Sequence, residues 1–127
     1  MPNTRNEIIQ ATKDAYEENK KYFFEKADIA LKDFSENIKN FHVDDLDEEL
    51  EKAINLVTLY KDHDILDEVQ YYALVKYSDD IMELDEYDET CDLRGVYQLD
   101  IDSHIDETIL LMKEALSNYI FEKANTK

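Results

Sequence analysis

Apolar residues recur at helical spacing along most of the chain, and that recurrence sets the expected elements. The first series is Ile8, Ile9, Ala15, Tyr16, Tyr22, Phe23, Ala27, Ala30, Leu31, Phe34, Ile38 and Phe41, a broad stripe with the period of a helix over residues 4–40. Thr4 followed by Glu7 has the spacing of a capping box, in which each side chain reaches a backbone N–H left unpaired by the first turn. One helix of this length is long for an ordinary domain, so the stretch reads as one helix or as two in series with a break near residues 19–21.

The polar run starting at His42 leads into a second helix over residues 46–61, with Leu46, Leu50, Ala53, Ile54, Val57 and Tyr60 on one side and Asp44 or Asp45 as cap. A third helix carries Ile65, Leu66, Val69, Tyr72, Ala73 and Tyr77, with Asp64 as cap. Its period either continues through Ile81 and Leu84 or restarts at Asp80, with Glu83 three residues on, after a break at Ser78 and Asp79. Residues 88–101 show no clear period. Gly95 there suits a turn, and the alternation in VYQLDI allows a short extended piece near residues 95–101. The final helix is expected over 103–123, capped by Ser103, with Asp106 and Glu107 in its first turn and a stripe of Ile105, Ile109, Met112, Leu116, Tyr119 and Ile120.

One Gly and one Pro in 127 residues leave little for Gly-dependent hairpins. The reading is therefore all-α: a single-domain bundle of four main helices over residues 1–127, with a long N-terminal helix and fraying at residues 1–3 and 125–127. An apolar fraction of 43% is too rich for a disordered acidic tail, so the chain should fold despite a net charge of -18. Cys91 is the one cysteine, which excludes an intramolecular disulfide, and no apolar stretch reads as a leader or a membrane span; the expectation is a soluble, cytoplasmic protein.

Charge changes the picture most. Residues 1–40 hold eight acids and seven bases, residues 41–107 hold twenty-two acids and four bases, and residues 108–127 hold two acids and three bases. The excess belongs to the middle of the chain. Between Lys76 and Arg94, the run YSDDIMELDEYDETCDL over 77–93 carries eight carboxylates and no Lys or Arg. Self-repulsion of this size opposes folding, so its concentration suggests a use beyond solubility.

Sites for small-molecule chemistry are not evident. His42, His63 and His104 lie in separate segments, none with the Glu-x-x-His spacing of diiron bundles. The stretches 45–56 and 100–111 lack the Gly and Glu of a calcium loop. Cys91 sits among Asp88, Glu89 and Asp92, where anions disfavour a thiolate. One glycine builds no phosphate loop. Asp102-Ser103 shares two residues with the Asp-Ser-Leu attachment site of acyl carrier proteins, but His104 replaces the Leu, and Ser103 reads as a helix cap. The expectation is a non-enzyme with no cofactor and no metal site, whose surface repels nucleic acid.

What remains is acids mixed with tyrosines, a composition suited to a basic protein partner. The candidate partner-binding residues are Asp44, Asp45, Asp47, Glu48, Glu49 and Glu51, then Asp79, Asp80, Glu83, Asp85, Glu86, Asp88 and Glu89, together with Tyr71 and Tyr87. Tyr72 and Tyr77 are expected in the core. The function expected is that of an acidic inhibitor that mimics nucleic acid and blocks a DNA- or RNA-binding enzyme, as anti-restriction and anti-CRISPR proteins of phages and mobile elements do. The alternatives are an immunity protein or antitoxin against a basic toxin, and a homo-oligomeric assembly protein pairing through the heptad-like seam from Ala27 to Phe41.

Overall fold

The computed structural model describes residues 4–61 and 64–125, apart from the side chain of Thr4. The chain is an all-α bundle of four main helices: α1 (Thr4–Asn37), α2 (Leu46–Thr58), α3 (Asp64–Val75) and α4 (Tyr87–Asn125). Single 3-10 turns follow α1 and α2 and precede α2 and α4, and no strand occurs among the described residues. The Thr4 cap, the fraying of residues 1–3, 126 and 127, and the boundary role of His63 all lie outside what is described; Asn125 is helical, its amide donating to the Phe121 carbonyl.

The contacts divide into two compact units, Met1–Phe23 with Asp62–Ile101 and Phe24–Lys61 with Asp102–Lys127. In the first, Tyr16 and Glu17 of α1 meet Tyr97 of α4 and Lys20 meets Asp100, so the two helices advance in the same direction. α3 runs against them, since Asp67 meets Arg94 while Gln70 meets Thr90. Ile8, Thr12, Tyr16, Phe23, Leu66, Gln70, Ala73, Leu74, Thr90, Tyr97 and Ile101 form its interior. In the second unit α1 and α4 again run parallel: Phe24 and Asp28 meet His104, and residues 35–39 share a cleft with residues 115–122. Here α2 is the returning helix, and Lys61 in the 3-10 turn after it pairs with Asp106. Ala27, Ala30, Phe34, Ile38, Leu46, Val57, Ile105, Thr108, Met112 and Leu116 are buried there.

α1 is continuous through residues 19–21, because its buried positions keep one face from Ile8 to Phe34, and Asn19 turns its amide onto the Ala15 carbonyl. The largest correction concerns α4. The extended piece near residues 95–101 and the helix start at Ser103 are both absent; one helix runs from Tyr87, with Ser103 exposed in its interior. The period is continuous at Thr90, Tyr97, Ile101, Ile105, Thr108, Met112 and Leu116. It is hidden over residues 88–101 because a threonine, Thr90, holds one buried position and half-buried Arg94 the next before Tyr97. Gly95 lies within this helix at ordinary φ.

Other ends differ in detail. Asp45 stands at the N-cap of α2 without a side-chain cap bond, while His42 Nδ1 accepts from the Asp44 N–H at 3.1 Å and caps the preceding 3-10 turn. α3 stops at Val75 rather than continuing to Leu84, and Tyr72 is two-thirds exposed instead of buried. Tyr72 lies on the outer edge of the α3 stripe, whose inward face is Leu66, Gln70, Ala73 and Leu74. Among the described residues no helix is long and apolar enough to cross a membrane.

Candidate partner-binding surface

The acidic run is the connection from α3 to α4, and its backbone is satisfied locally. Ser78 Oγ accepts from the Asp80 N–H and donates to the Asp80 carbonyl, both at 3.1 Å. Asp80 then caps the 3-10 turn Ile81–Glu83, its carboxylate accepting from the Met82 N–H at 3.1 Å. The restart at Asp80 is therefore correct, and the reason is the one sequence chemistry gives: Ser and Asp side chains compete for backbone groups that a helix would use. Leu84 ends the turn, and α4 begins at Tyr87 with Asp88 and Glu89 in its first turn, where the helix dipole favours anions.

Beneath this connection lies a buried polar cluster that the sequence does not announce. Gln70 Nε2 donates to Thr90 Oγ1 at 2.9 Å and contacts Cys91 Sγ at 3.1 Å. Thr90 Oγ1 donates to the Tyr87 carbonyl at 2.7 Å, and Tyr16 donates to the Thr90 carbonyl at 3.2 Å. Burial pushes the Tyr16 phenol far up, so it stays protonated and remains a donor. The Tyr87 phenol is raised by its contact with Cys91. These bonds tie the start of α4 to α3 and α1, which holds the carboxylates above them on a defined backbone.

Asp79, Asp80, Glu83, Asp85, Asp88 and Glu89 are exposed, and Glu86 and Tyr87 are half-buried. Compensation arrives from a distant part of the chain: Arg5 on α1 reaches Glu89 at 2.7 Å and Glu86 at 3.8 Å. The second arginine, Arg94, pairs with Asp67 at 2.8 Å. Among the described residues Asp79, Glu83, Asp85 and Asp88 have no ion-pair partner. The other candidates, Asp44, Asp45, Asp47, Glu48, Glu49 and Glu51, belong to the second unit, exposed except for half-buried Glu49. There Lys52 approaches Glu49 at 3.3 Å and Glu48 at 3.8 Å, and its pKa is raised chiefly by the bond to Glu49. The first unit carries seventeen acids and six bases, the second fifteen and eight. The larger net excess therefore lies in the first unit, whose α3–α4 connection carries Asp79, Glu83, Asp85 and Asp88.

Tyr71 is half exposed and stands edge-on to Tyr72, with ring centroids 5.6 Å apart. Tyr97 is instead buried, packed against Tyr16 at 5.3 Å and donating to Glu17 at 2.7 Å. Of the seam from Ala27 to Phe41, Ala27, Ala30, Phe34 and Ile38 are buried inside the second unit and Phe41 is half-buried. Among the described residues no group of three His, Cys, Asp or Glu side chains is arranged to hold a metal. Comparison with protein-family models, curated proteins and solved structures finds no match.

Proposed function

We infer that this protein binds a basic protein surface through the α3–α4 connection, in the manner of a nucleic-acid mimic that occupies the binding groove of a DNA- or RNA-processing enzyme. The observation that carries the reading is the outward, unpaired display of Asp79, Glu83, Asp85 and Asp88 on a backbone held by Ser78, Asp80 and the buried Thr90 cluster. Duplex DNA carries roughly one charge per 1.7 Å of axis. Residues 79–89 hold seven carboxylates; stretched out at roughly 3.3 Å per residue they would stand about 5 Å apart, and the turns bring them closer. Extended, that is about a third of the duplex line charge, with Glu86 and Glu89 met by Arg5 and Asp80 used as a cap.

The test replaces Asp79, Asp80, Glu83, Asp85 and Glu86 with Asn or Gln. The captured partner should be a nucleic-acid-binding protein, released by rising salt and by competing duplex DNA. Unchanged capture by the amide variant would reduce the charge to a solubility device. A second reading, a dedicated antitoxin or immunity protein, is favoured by the exposed Tyr71–Tyr72 pair, since aromatic anchors dominate tight one-partner interfaces. Under it, Tyr71→Ala would weaken binding more than the amide substitutions and duplex DNA would not compete.

A further inference from the structure

In the first unit α1 and α3 leave an open groove of about 410 Å³ between them. Its α1 wall is Ala11, Ala15 and Asn19, one residue per turn, small enough for another backbone to approach closely. Its α3 wall is Ile65, Val69, Tyr72 and Ala73, closed by Glu68 and Lys76 at the edges. Asn19 has already turned its amide onto the Ala15 carbonyl, so the floor makes little polar demand. Residues 65 to 76 span roughly 16 Å of helix, about three turns. Ile65 and Tyr72 are substantially exposed, which means that the groove shows uncovered apolar surface.

The rims set what can fill it. On α1, the exposed positions outward of the groove are Glu7, Asp14 and Glu18, followed beyond Asn19 by Lys21, and on α3 they are Asp64 and Glu68. Lys76 is the base that lines the groove. An apolar trough three turns long between acidic rims is complementary to a helix with an apolar stripe flanked by Lys and Arg. We propose that the α1–α3 groove docks a basic amphipathic helix of the protein partner, with Tyr72 as the anchor at its edge. The proposal rests on the reading of this chain as a binder of basic proteins, and it gives that partner a structural feature that charge alone does not specify.

The probe is a synthetic peptide of about 18 residues with Leu at helical spacing and Lys elsewhere, compared with a scramble of identical composition and charge that lacks the stripe. Titration of the full chain should show the striped peptide binding at least about ten-fold tighter than the scramble, with methyl shifts at Ala11, Ala15, Ile65 and Val69. Ala15→Glu fills the groove while adding negative charge; it should abolish the preference, whereas a purely electrostatic contact would strengthen. Tyr72→Ala, which leaves the core untouched, should weaken the striped peptide selectively, and circular dichroism checks that both variants fold. Equal binding of the two peptides, binding of neither, or wild-type affinity in Ala15→Glu would overturn the proposal. So would light scattering that shows a dimer dissociated by Ala15→Glu, because the groove would then belong to a second copy. The two readings fail separately: loss of partner capture in the amide variant with no effect of Ala15→Glu removes the groove alone. A stripe preference that survives the amide substitutions while natural capture is unchanged removes the acidic connection alone.

Discussion

Thr90→Val tests whether the polar cluster under the α3–α4 connection holds the acidic segment in place. Thr90 is fully buried; its hydroxyl donates to the Tyr87 carbonyl and accepts from Gln70 Nε2. Valine keeps the shape and removes both bonds. Gln70 is itself buried, and its amide nitrogen is left with the Cys91 sulfur, a weak acceptor at 3.1 Å. Stripping a buried donor of its acceptor costs about 1–3 kcal/mol, and losing the bond to Tyr87 costs about 0.5–1.5 kcal/mol, so the expected total is about 1.5–4.5 kcal/mol. Gln70→Met alone should cost about 1 kcal/mol, because the Thr90 hydroxyl keeps its bond to Tyr87. In the double variant no buried amide is left unpaired, so the combined loss should fall short of the sum by about 1 kcal/mol or more. Urea unfolding of the four proteins gives the cycle, and hydrogen exchange at residues 87–91 should quicken in Thr90→Val. Additivity to within about 0.5 kcal/mol would refute the coupling, and a Thr90→Val loss below that would refute the cluster as a structural tie.

Gly95→Ala should stabilise the protein by about 0.5–1 kcal/mol, raising the melting temperature by about 3 °C, since Gly95 sits inside α4 and an added Cβ meets nothing within 4 Å. Arg5→Ala should cost less than about 1 kcal/mol in urea unfolding, because Arg5 and Glu89 are both well exposed, and the difference should shrink further in high salt. Tyr97→Phe tests the bond to Glu17, whose carboxyl is held below its ordinary value of 4.5 chiefly by the Tyr97 hydroxyl. A depressed carboxyl stabilises above its unfolded pKa and loses that contribution as pH falls through the folded one, so the gap between wild type and Tyr97→Phe should narrow below about pH 4.5. On the alkaline side the Tyr97 phenol is pushed up to about 12, first by burial and then by Glu17. Its stabilisation is complete below pH 10 and lost as pH rises towards about 12, a loss that Tyr97→Phe should not show.

Much of the surface was legible because it depends on local chemistry. Ser78, Asp79 and Asp80 announce a break and a restart by the competition of their side chains for backbone groups, and the break lies there. Exposure of the acidic candidates other than Glu49 and Glu86 follows from charge itself, which stays in water unless paired, as those two are with Lys52 and Arg5. The parts that escaped are those made by contacts distant in sequence. Arg5 reaches Glu86 and Glu89 across more than eighty residues, so a run with no local base is partly compensated in three dimensions. Period alone places Tyr72 and Tyr77 in the core, whereas Tyr72 is exposed and Tyr77 half-buried, because Tyr72 stands at the margin of the α3 stripe and Tyr77 lies beyond the end of α3.

By itself the sequence determined that the chain is helical, where α1, α2 and α3 begin, and that its charge gathers in the middle. Those outcomes need only a 3.6-residue apolar period and a count of ionisable groups; side-chain capping does not set them, since Asp45 makes no cap bond and Asp64, expected to cap α3, lies inside its first turn. Only the tertiary structure decided that residues 87–125 are one helix. Its stripe passes through Thr90 and Thr108, and a threonine is acceptable inside a helix bundle when its hydroxyl finds a partner, here Tyr87 and His104 carbonyls. Tertiary packing also decided that α1 and α4 run parallel, with α3 returning in one unit and α2 in the other. The open α1–α3 groove follows from that arrangement, because small Ala11 and Ala15 face α3 across a gap that no third helix of their own unit fills.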